Sequence, residues 1–231
     1  MDRPYLVLDF KYVYNGFEEH IYPTVLFGKE DIVLVDCGYP DSLEMLELEL
    51  MGHNIKPESI TKLVLTHQDD DHIGAAAEIK EKYPTIQILA SEEEAPYISG
   101  RLKNLRLQQA EEMQPHLPES QKEFGLQFCD RLRKVKPVHV DGILHHGDRF
   151  DWGGGCEIVS TPGHMPGHIS ICSLENKYLI TGDAAAFEKN NLVIANPQFC
   201  LDIETAQKSL ENISHRECDC YICYHGGLFR R

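Results

Sequence analysis

Apolar runs that predict strands alternate with helical patterns in the first ninety residues. The predicted strands cover residues 5–8, 20–27, 31–36, 62–66 and 86–90. They are short and rich in β-branched side chains, as buried strands are. Leu43, Leu46 and Leu50 recur at helical spacing, and the predicted helices cover residues 41–51 and 73–82. This alternation of strands and helices is typical of an α/β fold.

Residues 92–147 have a different character and predict a helical insertion. Phe124, Phe128, Leu132 and Val135 recur as one apolar stripe of a helix, despite Gly125. Strand patterns then return. The predicted strands cover residues 150–152, 156–160, 169–174, 177–181 and 219–224, with a helix over residues 201–214. We therefore predict a single domain over residues 1–231 that carries this insertion.

Composition and charge narrow the class of protein. The chain has 231 residues, of which 42% are apolar and 26% are charged, as in globular proteins with one large core. Its formal net charge of −15 argues against nucleic-acid binding, which depends on neutralising phosphates. The apolar runs are too short to span a membrane, and the first residues lack the pattern of a signal peptide. We expect a cytoplasmic protein that binds neither nucleic acid nor membrane.

The segment Thr-His-Gln-Asp-Asp-Asp-His-Ile-Gly follows a predicted buried strand and concentrates potential metal ligands. Four of them fall within six residues: His67, Asp69, Asp71 and His72. His67 and Asp69 are two residues apart, so both can point the same way from extended backbone. Imidazole and carboxylate together are ligands of zinc, manganese and iron. The sequence therefore predicts a metal site in the loop after this strand.

Three later segments have the same form, because each ends a predicted strand with a potential ligand. They present His164 in Thr-Pro-Gly-His, Asp183 in Thr-Gly-Asp-Ala and His225 in Tyr-His-Gly-Gly. Glycine beside each ligand allows close approach of the backbone. We expect these segments to contribute to the same site.

The order of these four segments resembles the metallo-β-lactamase superfamily of binuclear hydrolases. The family pattern is His-x-His-x-Asp-His, followed by a histidine, a bridging aspartate and a last histidine. The resemblance covers nearly the whole chain and implies a four-layer αββα sandwich with two divalent metal ions at one edge. It implies that the first ion is held by His67, Asp69 and His164. It assigns the second ion to Asp71, His72 and His225, with Asp183 as the bridge.

Asp69 departs from the family pattern, which usually has a histidine at that position. The extra carboxylate makes the site less positive and suits manganese or iron better than an all-imidazole site would. A carboxylate here also resembles the flavodiiron branch of the superfamily. The departure leaves the identity of the metal open among zinc, manganese and iron.

Other residues near the motifs have two interpretations. Asp36 resembles the aspartate that orients ligands in the family, and a turn-forming aspartate is the alternative. His168 is either a ligand-orienting or a structural histidine. The alternatives for Cys218, Cys220 and Cys223 are a soft metal site and inert buried thiols, and alternation along a strand favours the latter. For His145 and His146 a surface loop is the expected position.

The function that the resemblance implies is metal-dependent hydrolysis of a small ester, thioester, lactone or phosphodiester. A hydroxide between the ions would attack the substrate, and Asp71 would orient it and transfer a proton. The alternative is a di-iron or mononuclear iron oxidoreductase of the flavodiiron or dioxygenase type, working with a separate electron donor. The position of Asp69 motivates this alternative.

The insertion is basic in an otherwise acidic chain. Residues 99–137 contain eight basic and five acidic side chains. A basic segment over the metal edge would attract a small anionic substrate, and Arg101, Lys103 and Arg106 are the candidate contacts. The alternatives for this segment are a solvated helical face and a contact between two copies in a homodimer.

Overall fold

Two mixed β-sheets form the centre of the molecule in the computed structural model, which describes residues 3–14 and 16–231. The first sheet has the spatial order β1 (Tyr5–Val7), β4 (Thr24–Phe27), β5 (Ile32–Val35), β6 (Lys62–Val64), β7 (Gln87–Ser91) and β8 (Gly142–Leu144). The last four of these strands are mutually parallel. Parallel neighbours need long crossover connections, and helices supply them here.

The second sheet is built from the C-terminal part of the chain. Its spatial order is β16 (Gly227–Arg230), β15 (Cys220–Cys223), β12 (Tyr178–Gly182), β11 (Ile169–Ser173), β10 (Cys156–Ser160) and β9 (Arg149–Phe150). Two hairpins lie outside these sheets: β2 (Phe10–Tyr14) with β3 (Phe17–Ile21), and β13 (Ala186–Glu188) with β14 (Asn191–Val193).

Helices lie on the outer face of each sheet, in the loop after β6 and in the insertion. They are α1 (Leu43–Gly52), α2 (Asp70–Ile73), α3 (Ala76–Lys82), α4 (Ala95–Ile98), α5 (Leu105–Met113), α6 (Glu119–Lys134) and α7 (Ile203–Ser214). Short 3-10 turns occur at Pro57–Ser59, Gln114–His116, Trp152–Gly154 and Pro197–Phe199. Within the described part of the chain, no helix has both the length and the apolar character that crossing a membrane requires.

Side chains that alternate along the strands divide the interior into separate cores. On β12, Tyr178 and Ile180 lie in the core between the sheets, whereas Leu179 lies in the outer core that includes Ile213 of α7. On β5, Leu34 lies in the opposite outer core, against α1 and α3. Successive residues of a strand point to opposite faces, so both sheets are buried on both sides. The result is the predicted αββα sandwich of four layers.

The N-terminal meander differs in one detail from the pattern in the sequence. The run at residues 20–27 predicts one strand, but Pro23 divides it between β3 and β4. Proline has no amide hydrogen to donate to a strand ladder, and the carbonyl of Pro23 instead accepts from the amide of Leu8 at 2.9 Å. β4 therefore joins the first sheet while β3 pairs with β2.

The helical insertion lies between β7 and β8, with its long helices at α5 and α6. Strand β8 already belongs to the first sheet, so the helical part ends before residue 142. The apolar stripe predicted for α6 is rotated: Cys129 and Leu132 pack on Ala110 of α5, whereas Phe124 is 68% exposed. Gly125 lets Gln114 and Leu117 lie close to α6, because a Cβ there would lie 2.1 Å from Gln114 Oε1.

Candidate metal centre

Four loops that follow strands meet at one edge of the sandwich. β10 and β12 both pair antiparallel with β11, and β12 pairs parallel with β15, so these three strands run in one direction. The loops at their carboxyl ends carry His164, Asp183 and His225. β6 of the first sheet ends at the same edge, where the amide of Ile169 donates to the carbonyl of Thr66 at 3.1 Å.

The loop after β6 changes from extended backbone to helix within the motif. Asp69 is the N-cap of α2, with extended backbone at φ −71° and ψ 149°. The amide of His72 donates to the carbonyl of Asp69 at 3.0 Å and closes the first turn. This change of direction separates the motif into two pairs. His67 and Asp69 face one ligand group, and Asp71 and His72 face another.

The first group consists of His67, Asp69 and His164, all buried. Asp69 Oδ2 lies 3.4 Å from His67 Nε2 and 2.9 Å from His164 Nε2. His67 and Asp69 come from the loop after β6 of the first sheet, and His164 comes from the loop after β10 of the second sheet. The group therefore forms only where the two sheets meet at this edge.

The second group consists of Asp71, His72 and His225. Asp71 Oδ2 lies 3.6 Å from His72 Nε2 and 3.2 Å from His225 Nε2. Asp183 lies between the two groups. Its Oδ1 is 3.2 Å from His72 Nε2 and 3.4 Å from His225 Nε2, while its Oδ2 is 3.4 Å from His164 Nε2. The structure thus brings all seven predicted ligand residues together.

The spacing of these atoms fits metal coordination. Tetrahedral coordination with metal–ligand distances of about 2.0–2.2 Å places neighbouring ligand atoms about 3.3–3.6 Å apart, close to the distances in both groups. Among the described residues, four buried atoms of the predicted ligand side chains have no hydrogen-bond partner. They are the Nε2 atoms of His67, His72 and His225, and Oδ1 of Asp183. Buried polar atoms normally have partners, and cations bound in both groups would satisfy all four.

The electrostatics of the site also favour a cation. Burial lowers the pKa of His164 and His225, but Asp183 and the other neighbouring carboxylates raise both to about 10. Burial also opposes ionisation of Asp183, yet the positive charges of His225, His72 and His164 hold its pKa well below the usual range. Three buried carboxylates in one site attract positive charge, which divalent ions would supply.

Asp36 fixes the orientation of His72. Its Oδ2 accepts a hydrogen bond from His72 Nδ1 at 2.8 Å, and its Oδ1 accepts from the amide of Thr66 at 2.8 Å. Protonation of Nδ1 leaves the lone pair of Nε2 directed into the second group. Such carboxylate–histidine contacts orient metal ligands and raise their basicity. This is the contact that a ligand-orienting aspartate would make.

His168 positions the backbone of Asp183. The amide of Asp183 donates to His168 Nε2 at 2.8 Å, so Nδ1 carries the proton and donates to Thr161 Oγ1 at 2.8 Å. Burial and the neighbouring charges of His67 and His164 hold the pKa of His168 well below its usual range. His168 is therefore neutral, and its Nε2 is already occupied by a donor.

Arg106, which the sequence offers as a candidate substrate contact, lies buried against the first group. Its Nη2 is 2.7 Å from Asp69 Oδ2 and 3.2 Å from His164 Nε2, and its Nε is 3.1 Å from Asp69 Oδ1. Nη1 donates to Gln109 Oε1 and to the carbonyl of Phe199. Each nitrogen of the guanidinium donates to a group of the protein, and the residue is 2% exposed.

A second arginine of the insertion, Arg131, contacts Asp70, the residue of the motif that follows Asp69. Arg131 Nε lies 2.7 Å from Oδ2 of Asp70, whose side chain is buried. The guanidinium lies over the rings of Tyr39 and Phe128, with centroids at 5.0 and 5.2 Å. The arginine side chain is 48% exposed, so one face remains open to solvent.

The other basic and histidine candidates lie on the surface. Arg101 and Lys103 are exposed, and Lys103 pairs with Glu111 of the insertion. His145 and His146 are exposed in the loop after β8. These residues make no contact with the metal ligands among the ion pairs of the described residues.

Glu94 connects two ligand loops, although no functional motif in the sequence includes it. Its Oε2 accepts from the amide and the side-chain Nε2 of Gln68, at 3.1 and 2.9 Å. Its Oε1 accepts from the amide of Gly167 at 2.9 Å. Gln68 lies between His67 and Asp69, and Gly167 follows His164. A single buried carboxylate thus holds both loops of the first group.

The cysteines near the C-terminus are divided between two cores. Cys220 lies in the core between the sheets, whereas Cys218 and Cys223 lie in the outer core of the second sheet. The Sγ of Cys218 is 3.9 Å from that of Cys172, on another strand. Among the described residues, no cysteine belongs to a group of ligands able to hold a metal ion.

Comparisons with known proteins identify the family of this chain. A family model described as the metallo-beta-lactamase superfamily matches residues 18–225. The probable metallo-hydrolase YflN of Bacillus subtilis is 27% identical over 213 residues, which span 84% of this chain and 75% of that protein. The hydroxyacylglutathione hydrolase GloC of Haemophilus influenzae is 27% identical over 155 residues, which span 67% of this chain and 61% of that protein.

A solved structure supports the fold independently of sequence. A metallo-β-lactamase family protein of Thermus thermophilus superposes with a TM-score of 0.73 at 20% identity, covering 98% of this chain and 75% of that one. At this identity the likeness shows a shared fold alone. It agrees with the layered arrangement of the two sheets described above.

Proposed function

The chain belongs to the metallo-β-lactamase superfamily, and we propose that it is a metal-dependent hydrolase of a small ester-type substrate. The observation that carries this proposal is the convergence of seven ligand side chains at one edge of the sandwich. Asp183 directs one oxygen toward each ligand group. Two relatives named as hydrolases support the same assignment.

Two divalent ions are the metal complement that this proposal includes. His67, Asp69 and His164 would hold one, Asp71, His72 and His225 would hold the other, and Asp183 would be shared. When bound, divalent ions in such a site supply Lewis acidity and lower the pKa of water to near neutrality. The mixed oxygen and nitrogen ligands accommodate zinc, manganese or iron.

Asp71 is the residue that would handle the proton. Its side chain is 13% exposed, against 8% for Asp69 and 3% for Asp183, so it is the most accessible of the three carboxylates. The position beside His225 lets Asp71 orient an attacking water and pass its proton toward the leaving group. General acid–base assistance of this kind contributes about 10²–10⁴-fold to rates.

An acyl thioester is the first substrate to test, with a lactone, a simple ester and a phosphodiester as the other ester-type candidates. Hydroxyacylglutathione, the substrate in the name of one relative, is a thioester. A small anionic substrate fits the basic insertion, whose Arg131 lies half exposed beside the motif. An exposed arginine at the edge of a site attracts anions and binds carboxylates or phosphates in a bidentate manner.

An iron-dependent oxidoreductase is the second candidate, and Asp69 is the observation in its favour. Carboxylate ligands suit iron better than an all-imidazole group does. This activity would need a separate electron donor. Consumption of oxygen or nitric oxide by the iron-loaded protein would support it.

The test is hydrolysis by protein purified without added metal, with its metal content measured on the same sample. Asp71→Asn should lower turnover by roughly 10²-fold or more while metal content falls much less. Asp130→Asn is the matched control, because its side chain is 70% exposed on α6 and contacts only Arg133 among the ion pairs of the described residues. Turnover by Asp71→Asn within a few fold of the parent would contradict the assigned role.

A further inference from the structure

Arg106 makes the two ligand groups unequal. Its guanidinium contacts Asp69 and His164, two of the three residues of the first group. In the part of the chain that the structure describes, no lysine or arginine nitrogen lies within 4.0 Å of a carboxylate oxygen of Asp71 or Asp183. Only the first group therefore has a protein cation in contact with its ligands.

The charges of the two groups differ as a result. Asp69 adds one negative charge where the family pattern has a neutral imidazole, and Arg106 adds one positive charge beside it. The first group with its arginine is neutral, whereas the second group carries the charge of Asp71. Because Coulomb attraction is strong inside a protein, a divalent ion gains more from the second group.

Asp69, Gln109 and the carbonyl of Phe199 all accept hydrogen bonds from the guanidinium of Arg106, so its charge is fixed in position. The helix that carries Arg106 is itself attached to the loop after β6. Asn104 caps α5 by accepting from the amide of Leu107 at 2.9 Å, and it donates to the carbonyl of Gln68 at 2.8 Å. The ring of Phe199 lies 5.2 Å from the guanidinium carbon. Arginine bound in this bidentate and stacked manner is not interchangeable with lysine.

We propose that Arg106 is a built-in counter-ion of the first group, which makes that group bind its divalent ion more weakly than the second group. Ions then enter in order, the second group first. In the protein without metal, Arg106 neutralises Asp69 and holds it in the ligand position. The inference rests on the metal binding in the proposed function and is independent of the reaction and of the substrate.

A purely structural role for Arg106 is the competing explanation, and the chain offers a control for it. Arg131 connects the same insertion to the same motif through Asp70, which is not in either ligand group. Arg131→Gln therefore loosens the insertion and removes a positive charge that contacts no ligand residue. Arg106→Gln removes that charge as well.

The experiment is a titration of the chelator-treated protein, with its whole chain, with zinc and with manganese. Calorimetry and competition with a chromophoric chelator measure the affinity of each binding step. The parent protein should bind two ions in two separate steps. In Arg106→Gln the weaker step should tighten, because a positive charge that opposes the ion is removed. The expected size is roughly 10–100-fold, as large as the losses seen when other residues that contact metal ligands are changed, so that the two steps approach each other. In Arg131→Gln the separation of the steps should stay as in the parent.

A second variant keeps the test decisive if Arg106→Gln does not fold. Asp69→Asn removes the carboxylate and leaves the arginine charge, so it should weaken the weaker step further. Arg106→Lys keeps the charge but loses the bidentate and stacked contacts, so the two steps should stay separate, but less widely than in the parent. Circular dichroism of each variant establishes that it is folded before titration.

Three results would overturn the proposal. The first is equal affinity of the two binding steps in the parent. The second is a weaker step that is unchanged, or weakened further, in Arg106→Gln. The third is a tightening of the weaker step in Arg131→Gln as large as that in Arg106→Gln. Each of these leaves the hydrolase assignment intact, because both ions still bind. Failure of the parent protein to bind any divalent ion would instead contradict the proposed function itself.

Discussion

Substitution of Glu94 by glutamine should change how the stability of the protein depends on pH. Glu94 is fully buried and accepts three N–H hydrogen bonds from Gln68 and Gly167. Burial opposes ionisation and the donors favour it. Burial is the larger effect, and it raises the pKa of Glu94 from its ordinary 4.5 to about 7.

The size and sign of the effect follow from this difference in pKa. One pKa unit corresponds to about 1.4 kcal/mol, so Glu94 accounts for about 3 kcal/mol of unfolding free energy. Because the pKa is raised in the folded state, this contribution is fully present below pH 4.5 and is lost as the pH rises through about 7. Glutamine cannot ionise and does not show the loss.

The measurement is the free energy of unfolding by urea at several values of pH between 4.5 and 8, at one fixed metal concentration. Relative to the parent, Glu94→Gln should gain about 3 kcal/mol between the lowest and the highest pH. Other titrating groups are common to both proteins and cancel in the difference. Glu92→Gln is the matched control, because Glu92 is exposed two residues away and should follow the parent throughout.

A difference between parent and Glu94→Gln that stays constant with pH would refute this reasoning. A variant that becomes less stable than the parent as the pH rises would show that the three donors outweigh burial. In that case the carboxylate is ionised throughout and acts as a permanent charge beside the ligand loops.

Three further predictions concern the surroundings of the metal centre. Asp36→Asn should weaken metal binding roughly 10–100-fold, because the acceptor at 2.8 Å from His72 Nδ1 loses its charge; unchanged affinity in a chelator competition would contradict the assigned contact. Arg131→Met should destabilise the fold by up to about 3 kcal/mol by leaving Asp70 buried without its partner, and hydrogen exchange in Glu119–Lys134 should accelerate, which unchanged protection would contradict. Removal of metal by a chelator should lower the melting temperature, since bound ligands stabilise the folded state; an identical melting curve would argue against a bound ion.

The ligand residues could be predicted from the sequence because each follows a strand directly. His67, His164 and His225 all occupy loops at carboxyl ends of strands, and strand direction brings those loops to one edge. The α/β layout and the helical insertion were predictable for the same reason, since apolar periodicity is a local property. The four-layer order came from the resemblance to a known family, and the division of the side chains between separate cores supports it.

The residues that surround the ligands could not be predicted, because their contacts are long-range. Arg106 and Arg131 lie on helices of the insertion, far along the chain from Asp69 and Asp70. Nothing in the composition of a basic helix distinguishes a buried ion pair from a solvated charge. Glu94 carried only the pattern of a helix start, Ser-x-x-Glu, and Ser91 Oγ does accept from its amide at 3.2 Å.

The contacts of the insertion with the motif limit how chimeras can be made in which the insertion of one protein replaces that of a relative. Two adjacent aspartates of the metal loop depend on two arginines from different helices of the insertion. A transplanted insertion that lacked both arginines would leave two buried carboxylates without counter-charges. The loss of these pairs would strongly destabilise the folded state. A working chimera would therefore need either both arginines or simultaneous replacement of both aspartates. The insertion and the loop after β6 therefore have to be exchanged together.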